Sequence, residues 1–419
     1  MVEKIKNKVW APFLVFLAVA GPGIITGSVD NDAGGITTYS VAGAHYGYNL
    51  LWTLVPAFLA LVVVQEMNAR MGMKTGKGLA DLIRESFGIK IMLFIFICLF
   101  IADIGNTTAE FAGVAGSMQI FGLSKYIVVP LSGLVVWFLV VKGNYKIAEK
   151  VFLLLSAFLL MYVVSALMAR PDWGEIGTAM VHPKFYGGDE EYLGLVIGVI
   201  GTTIAPWMQF YMQSAVMEKG LSVEEYRYEK WDVILGGVAT VVVAFFIMVA
   251  CAATLNKAGI TINEAKDAAA ALKPLAGSMA SVIFAAGLFI ASIFSATILP
   301  LATAFYICEA FGFEAGINKT WNEAPAFYWL FTGIILISMA IILIPGAPLI
   351  RITLWTQILN GILLPVVLIC MIRMVNNSDI MGEYTNKLFS NIVGWATIVL
   401  LIGLTGYLVA MPIIQKYIH

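Results

Sequence analysis

The chain has 419 residues, of which 60% are hydrophobic and 12% charged, and its mean hydropathy is +0.89. A soluble domain of this length has no need of so much apolar surface, so the composition predicts an all-α, polytopic membrane protein in a lipid bilayer. The formal net charge of −1 excludes a nucleic-acid-binding role built on a basic face. Four isolated cysteines and three scattered histidines indicate no zinc site, catalytic triad or bound cofactor, and we expect no enzymatic activity.

Runs of roughly 18–25 apolar residues predict membrane-spanning helices. We predict eleven spans, near 12–43, 49–69, 91–120, 126–142, 148–169, 192–217, 232–255, 279–309, 326–345, 350–374 and 391–414. With the N-terminus inside, the cytosolic segments hold 17 of the 25 Lys and Arg residues. The positive-inside rule therefore places the N-terminus in the cytosol and, with eleven spans, the C-terminus outside.

The first span is interrupted at its centre, between Gly21 and Gly35, by glycines and by the carboxylates of Asp30 and Asp32. A charged side chain at the centre of a spanning helix costs about 2.5–3.5 kcal/mol, so it persists only if it faces a cavity, a partner or a cation. The two glycines after Ala33 would let the chain leave the helical conformation and aim carbonyl oxygens inward. Carboxylate and carbonyl oxygens suit hard cations such as Mg²⁺, Ca²⁺ or Mn²⁺.

Asp32 is therefore our strongest candidate for a metal ligand. The alternative is that it caps the second half of the broken helix, and the two roles are compatible. Asp30 either makes the approach to the site more negative or acts as a capping residue, and the sequence does not decide between these.

Two further spans carry polar residues on one helical face. In the third span these residues are Asp103, Asn106, Thr107 and Glu110. In the tenth span they are Thr356, Gln357 and Asn360. The first set could be a polar lining or proton relay, or an interhelical hydrogen-bond network. Gln357 could offer its amide oxygen to a cation or to its hydration water, or it could be structural.

The sixth span is interrupted as well, because Gly198, Gly201 and Pro206 lie in its middle. Two broken helices five spans apart predict an inverted repeat. The repeat would relate spans one to five, about 12–169, to spans six to ten, about 192–374, with 391–414 as an additional helix. Pro300 and Pro365 also interrupt their spans, and we interpret Pro300 as an ordinary kink.

These residues resemble the NRAMP family of divalent-metal transporters across nearly the whole chain. The stretch Asp32–Gly35 matches the family's Asp-Pro-Gly-Asn motif at the break of helix one, with the Asp kept and the ligating Asn replaced by Gly35. The family's helix-six motif, Ala-x-x-Met-Pro-His, aligns with Thr202 to Trp207. The metal-binding Met is thus Ala205, the carbonyl-donating Ala is Thr202, and the His is Trp207.

The resemblance extends to helices three and ten. Gln357 to Pro365 matches the family's helix-ten pattern, and Glu110 matches a helix-three Glu, whereas the Asp three residues before it is Thr107 here. The resemblance implies the LeuT fold, with eleven spans and with helices one and six broken at the midplane. It implies the following metal site: Asp32, Gly35, Thr202, Ala205 and Gln357. Residues implied to support this site or to relay protons are Asp30, Asp103, Glu110, Trp207 and Asn360.

The positions at which this sequence differs from the family pattern affect which ion the site is expected to prefer. A Met thioether favours softer ions such as Mn²⁺, Fe²⁺ and Cd²⁺. Ala205 removes the sulfur and Gly35 removes a side-chain oxygen, so we expect a wider, oxygen-only site with one strong ligand. Mg²⁺ keeps several waters and needs only one or two carboxylates, so this pattern resembles the bacterial NRAMP-related magnesium transporters. Trp207 and Thr107 stand where the family has a titratable His and Asp, and this argues against obligatory proton coupling.

We therefore expect a monomeric importer of Mg²⁺, and also of Mn²⁺, that works by alternating access in a bacterial cytoplasmic membrane. One alternative is a proton-coupled Mn²⁺/Fe²⁺ symporter of the ordinary NRAMP type. A second is an amino-acid/Na⁺ symporter of the LeuT fold, although Asp30 and Asp32 would repel a substrate carboxylate. A membrane enzyme or sensor is a third, but the sequence offers no nucleophile–base pair.

Overall fold

The computed structural model describes residues 21–142, 160–186, 188–262, 278–317 and 319–418. All regular secondary structure in these ranges is helical, which confirms the all-α prediction. Eight helical stretches of the described chain are long and apolar enough to cross a membrane, and Lys125–Val141 is a shorter apolar helix of 17 residues. The predicted fifth span falls mostly on 143–159, outside the described residues, so the number eleven stays a prediction.

The first half of the chain contains helices α1 to α7. They are α1 (Pro22–Asp30), α2 (Ala33–Tyr46), α3 (Leu54–Thr75), α4 (Leu79–Gln119), α5 (Lys125–Val141), α6 (Leu160–Met168) and α7 (Trp173–Val181). Helix α4 begins before the predicted third span and is kinked at Gly88, which has a φ of +80°. Glycine adopts this backbone conformation without the steric cost of a Cβ atom.

The second half contains helices α8 to α15. They are α8 (Glu190–Thr203), α9 (Pro206–Glu218), α10 (Tyr226–Cys251), α11 (Ser278–Phe311), α12 (Pro325–Leu343), α13 (Leu349–Val375), α14 (Ser378–Met381) and α15 (Leu388–Ile418). Pro300 lies inside α11, which is compatible with its interpretation as an ordinary kink. Pro365 lies inside α13, so the prediction that it interrupts its helix is wrong. A proline removes only one backbone donor, which neighbouring helices in a membrane protein can compensate.

The two predicted helix breaks are present. Helix α1 ends at Asp30 and α2 begins at Ala33, with Asn31 (ψ 46°) and Asp32 (ψ −175°) in non-helical conformations. The chain thus leaves the helix before Gly34 and Gly35, which lie inside α2, and the predicted role of these glycines is wrong. Helix α8 ends at Thr203, and Pro206 starts α9, where its missing N–H is not needed.

Helix α1 is held against α10 by main-chain contacts. A Cβ atom at Gly27 would lie 2.6 Å from the carbonyl oxygen of Gly236, so no side chain fits between the two helices. The Asp232 carboxylate on α10 accepts hydrogen bonds from the N–H groups of Gly21 (3.1 Å) and Gly23 (2.6 Å). These bonds satisfy orphan donors at the N-terminus of α1 and favour a negative charge there.

Helix α8 approaches α13 in the same way. The position of a Cβ atom at Gly201 overlaps the main chain of α13, at the Gln357 carbonyl oxygen and the Gly361 amide nitrogen. One turn earlier on α8, Gly198 has only side-chain atoms near its Cβ position, at 3.6–3.9 Å. Small residues at such contacts let helices in membranes come together closely.

We predict that Gly201→Ala destabilises the protein, because the added methyl group forces α8 away from the backbone of α13. The free energy of unfolding should fall by about 1–3 kcal/mol, the usual cost of overpacking. Thermal unfolding in detergent measures this change. Gly198→Ala is the matched control and should be neutral or slightly stabilising, since its methyl group meets ordinary contacts. Equal behaviour of the two variants would contradict the close α8–α13 contact.

Candidate metal site

Asp32 caps the second half of the broken first helix. Its Oδ1 atom accepts a hydrogen bond of 2.6 Å from the N–H of Gly35, which confirms the capping interpretation. The Glu110 carboxylate on α4 bonds to the N–H of Ala33, the residue that follows Asp32. Since a capping carboxylate keeps further lone pairs, Asp32 can cap α2 and contact a cation at the same time.

Two more buried carboxyl groups lie at this break. Glu110 Oε2 accepts a hydrogen bond of 3.2 Å from the N–H of Ala33, and Oε1 has no hydrogen-bond partner among the described residues. Both carboxylate oxygens of Asp30 are likewise buried without a hydrogen-bond partner in this part of the chain. Burying several carboxylates together is costly unless a cation or a shared proton compensates them. The break is therefore suited chemically to a cation.

The break between α8 and α9 lies beside the first one. Thr202 Oγ1 is 3.4 Å from the position that a Cβ atom would take at Gly35. The next residue, Thr203, forms a hydrogen bond of 2.9 Å with the hydroxyl group of Tyr39 on α2. This Tyr39–Thr203 pair was not predicted from the sequence, although a second hydroxyl group at the break between α8 and α9 was a signal for it.

Ala205 and Trp207 lie on the α9 side of this break. The Ala205 carbonyl oxygen accepts hydrogen bonds from the backbone N–H of Met208 (3.2 Å) and from Gln209 Nε2 (3.3 Å). Trp207 is buried, with its ring 6.2 Å from that of Tyr211. An indole donates a hydrogen bond but accepts no proton, so Trp207 cannot replace a titrating histidine.

Gln357 on α13 completes the group of residues around the first break. Its Nε2 atom and Asp32 Oδ1 are both among the nearest atoms to the Cβ position of Gly34. The glycine therefore lets the amide of Gln357 lie against the first turn of α2. Asp32, Gly35, Thr202 and Gln357 are thus brought together, and Ala205 lies at the neighbouring break.

The same contacts correct the expected width of the site. A Cβ atom at Gly35 would lie 2.7 Å from the main-chain oxygen of Asp30. The space that the sequence predicts where the family has Asn is therefore occupied by the last residue of α1 in this conformation. Gly35 serves close packing across the helix break, a role that a single sequence does not reveal.

Asp103 belongs to an interhelical hydrogen-bond network, one of the two interpretations that the sequence left open. Its Oδ2 atom accepts hydrogen bonds from the hydroxyl groups of Thr303 and Tyr306 on α11, each at 2.9 Å. Its Oδ1 atom accepts a hydrogen bond of 3.2 Å from Asn106 Nδ2. All the contacts of Asp103 described above are structural, and they join α4 to α11.

Asn106 continues this network towards α13. Asn360 Nδ2 donates to Asn106 Oδ1 at 2.8 Å and to Gln357 Oε1 at 3.0 Å. Asn106 Nδ2 is 3.3 Å from Asn360 Oδ1, and Gln357 Nε2 is 3.5 Å from Asn106 Oδ1. A continuous chain of polar groups therefore leads from Asp103 to the residue beside Asp32.

The chain is similar to known metal transporters over nearly its whole length. The family model "Natural resistance-associated macrophage protein-like" (Nramp) matches residues 23–411. The divalent metal cation transporter MntH of Deinococcus radiodurans is 27% identical over 405 residues, which cover 94% of this chain and 89% of the relative. The protein of the same name from Klebsiella pneumoniae is 26% identical, with 94% of each chain covered.

Two solved structures show the same fold. The manganese transporter of Eremococcus coleocola superimposes with a TM-score of 0.76 at 20% identity, covering 97% of this chain and 88% of the other. A Na⁺-coupled sialic acid symporter in a substrate-bound outward-open state gives a TM-score of 0.64 at 12% identity, covering 98% and 94%. These matches confirm the predicted LeuT-type architecture.

Proposed function

Since this chain belongs to the Nramp family, we propose that it carries divalent metal ions across the membrane, with Mg²⁺ as its preferred ion and Mn²⁺ as a second substrate. Relatives named divalent metal cation transporters support the general part of this proposal. The magnesium preference rests on one observation, that Ala205 precedes Pro206 at the α8–α9 break where the family pattern has a thioether. Without sulfur, the side chains around the breaks offer carboxylate, amide and hydroxyl oxygens, which suit hard ions.

In the proposed mechanism, a largely hydrated ion binds at the two helix breaks, and the helices then open the site to the other side of the membrane. Asp32 supplies the charged ligand, and Gln357 and Thr202 supply neutral oxygens beside it. Inward movement of one divalent ion gains about 4.6 kcal/mol at 100 mV, twice the value for a unit charge. The membrane potential therefore suffices to accumulate the ion without a coupled proton.

A proton-coupled Mn²⁺/Fe²⁺ symporter is the second candidate function. The names of the relatives favour it, because several are MntH proteins and one solved neighbour is a manganese transporter. Glu110 also favours it, since this titratable group bonds to Ala33, the residue next to Asp32. Trp207 and Thr107 count against a proton-coupled function, because neither side chain titrates.

An amino-acid/Na⁺ symporter is less consistent with the site. The likeness to the sialic acid symporter concerns the fold alone, at 12% identity. Asp30, Asp32 and Glu110 would repel a carboxylate substrate at the break between α1 and α2. The protein is an integral membrane protein, and we propose a monomer in a bacterial cytoplasmic membrane with the N-terminus inside and the C-terminus outside.

We predict that Asp32→Asn abolishes Mg²⁺ binding in calorimetric titration and Mg²⁺ uptake into proteoliposomes, while the protein stays folded. Asparagine caps helices about as well as aspartate, so this change removes the charge and keeps the cap. Asp32→Ala should lose binding and also about 1 kcal/mol of stability. Asp172→Asn changes a cap of the same kind on α7 and should leave uptake unchanged. Uptake near the parent level by folded Asp32→Asn protein would refute the assigned ligand.

We predict that metal influx is not accompanied by obligatory proton influx, because tryptophan and threonine stand at positions 207 and 107. A pH-sensitive dye inside vesicles at clamped potential should stay constant while Mg²⁺ or Mn²⁺ enters. Addition of a proton ionophore under an imposed pH gradient verifies the response of the dye. Acidification in proportion to the metal influx would favour the proton-coupled candidate, with Glu110 as the first residue to test.

We predict that Ala205→Met shifts selectivity towards Cd²⁺, because a thioether binds soft ions and its bulk displaces hydration water. The affinity for Cd²⁺ should rise by about tenfold or more, and most Mg²⁺ uptake should be lost. Gly35 is left unchanged, since a side chain there would meet the Asp30 carbonyl oxygen. Competitive uptake of the two ions into the same vesicles measures the shift.

Ala205→Leu is the control for this change, because it adds similar bulk without sulfur. It should reduce Mg²⁺ uptake without gaining Cd²⁺. If the Met variant behaves like the Leu variant or like the parent protein, residue 205 does not face the ion.

A further inference from the structure

An apolar groove lies on the outer face of the protein between α4, α11 and α12. Its volume is about 600 Å³, within the range of about 300–1,000 Å³ that is usual for ligand-binding clefts. All of its lining residues are apolar, and they include Phe100, Ile307, Phe311, Trp329, Gly333 and Ile337. We propose that this groove binds one acyl chain of a bilayer phospholipid as a specific ligand.

The groove opens where lipid tails surround the protein. The side chains of Trp329, Phe313 and Ile337 on its rim are 64%, 55% and 45% exposed, whereas Ile334 below them is only 1% exposed. The helices α4, α11 and α12 are all long and apolar enough to cross a membrane. An exposed apolar patch marks a contact with another protein or with the membrane. On a membrane-spanning face, the lipid tail is the partner that is always present.

A glycine keeps the groove open. A Cβ atom at Gly333 on α12 would have no heavy atom within 4 Å. Glycine inside a helix is less favourable than alanine, and here no close main-chain contact requires it, in contrast to Gly201. Gly333 therefore leaves space on the groove side of α12 that most other residues would fill.

The walls of the groove are fixed to one another. Ser338 Oγ on α12 donates a hydrogen bond of 3.2 Å to the carbonyl oxygen of Ile104 on α4. On the other side, the ring of Phe327 on α12 lies 4.8 Å from that of Phe305 on α11. The groove is thus formed before any ligand enters, which lowers the cost of binding.

The mouth of the groove has the character of a membrane interface. Trp321 stacks on Tyr328 at 5.4 Å and meets the edge of Trp329 at 5.3 Å. Such aromatic side chains are enriched at the level of the lipid headgroups. Near the end of α11, Arg84 Nη1 donates a hydrogen bond of 2.7 Å to the carbonyl oxygen of Ala310. A chain that lies in the groove would therefore leave its polar headgroup beside aromatic and cationic side chains.

The shape of an acyl chain suits this groove. The chain is apolar, narrow and unbranched, so it can contact three helices along its length. Dispersion contacts are weak one by one and large in sum, so a chain in the groove is held more firmly than a lipid on the convex surface of one helix. A phospholipid should therefore remain in the groove when detergent has replaced most of the surrounding lipid.

Tryptophan fluorescence tests the proposal, because Trp329 lines the groove. A phospholipid with brominated acyl chains, which quench tryptophan on contact, is added to the protein in detergent micelles. The signals of Trp329 and Trp355 are obtained by difference from the Trp329→Phe and Trp355→Phe proteins. Trp355 on α13 is the matched control, since it is 66% exposed and does not line the groove.

We expect half-quenching of Trp329 at a lipid-to-detergent ratio about tenfold lower than that of Trp355. Equal ratios for the two tryptophans in the parent protein would overturn the proposal. Gly333→Leu fills the groove and should move the Trp329 curve to that of Trp355, with thermal unfolding unchanged. Gly403→Leu on α15 is the control, because a Cβ atom there also has no heavy atom within 4 Å. It should leave both curves as they are.

Native mass spectrometry gives a second measurement. The parent and Gly403→Leu proteins should retain one phospholipid per chain after purification in detergent, and Gly333→Leu should lose it. If Gly333→Leu keeps its lipid and instead changes from a dimer to a monomer, the groove is covered by a second copy of the chain and the proposal is wrong. None of these measurements depends on the transported ion, so they stand apart from the proposed function.

Discussion

The structure depends on one constraint, that the two helix ends created in the middle of the protein must be satisfied without bulk water. An unpaired backbone group there costs several kcal/mol. Asp32 satisfies one of these groups by accepting a hydrogen bond from the N–H of Gly35. Glu110 satisfies another by accepting a hydrogen bond from the N–H of Ala33. The groups that satisfy the broken helix are therefore the same carboxylates that can attract a cation.

Close main-chain contacts between helices bring the other polar residues of the site to the two helix breaks. Gly27 and Gly236 join α1 to α10, and Gly201 and Gly361 join α8 to α13. Because glycines stand at these positions, the backbones approach without intervening side chains, and the polar residues of α4 and α13 meet the two breaks. The site is thus assembled from several helices, and each supplies only one or two of its groups.

The sequence predicted the features that follow from local chemistry. Both breaks were foreseeable from Asp32, Pro206 and the glycines around them, because a buried carboxylate or a proline among glycines is costly in a continuous apolar helix. The close approaches at Gly34 and Gly35 were not foreseeable, since they depend on a partner distant in the chain.

The misjudged Pro365 and the open case of Asp103 both depend on neighbouring helices. Pro365 was expected to interrupt a helix that in fact continues, because the loss of one backbone donor does not end a helix when neighbouring helices can compensate it. The interpretation of Asp103 depended on Thr303 and Tyr306, which no pattern on its own helix reveals.

Helix α5 has a consequence for the surrounding lipid. Its 17 residues rise about 26 Å, less than the usual hydrocarbon thickness of about 30 Å. Lys125 at its start donates hydrogen bonds to the carbonyl oxygens of Ile342 and Ile344 near the end of α12, so this end of α5 is tied to α12. If α5 spans the bilayer as the sequence predicts, a helix this short requires a thinner bilayer or flanking side chains that reach the interface.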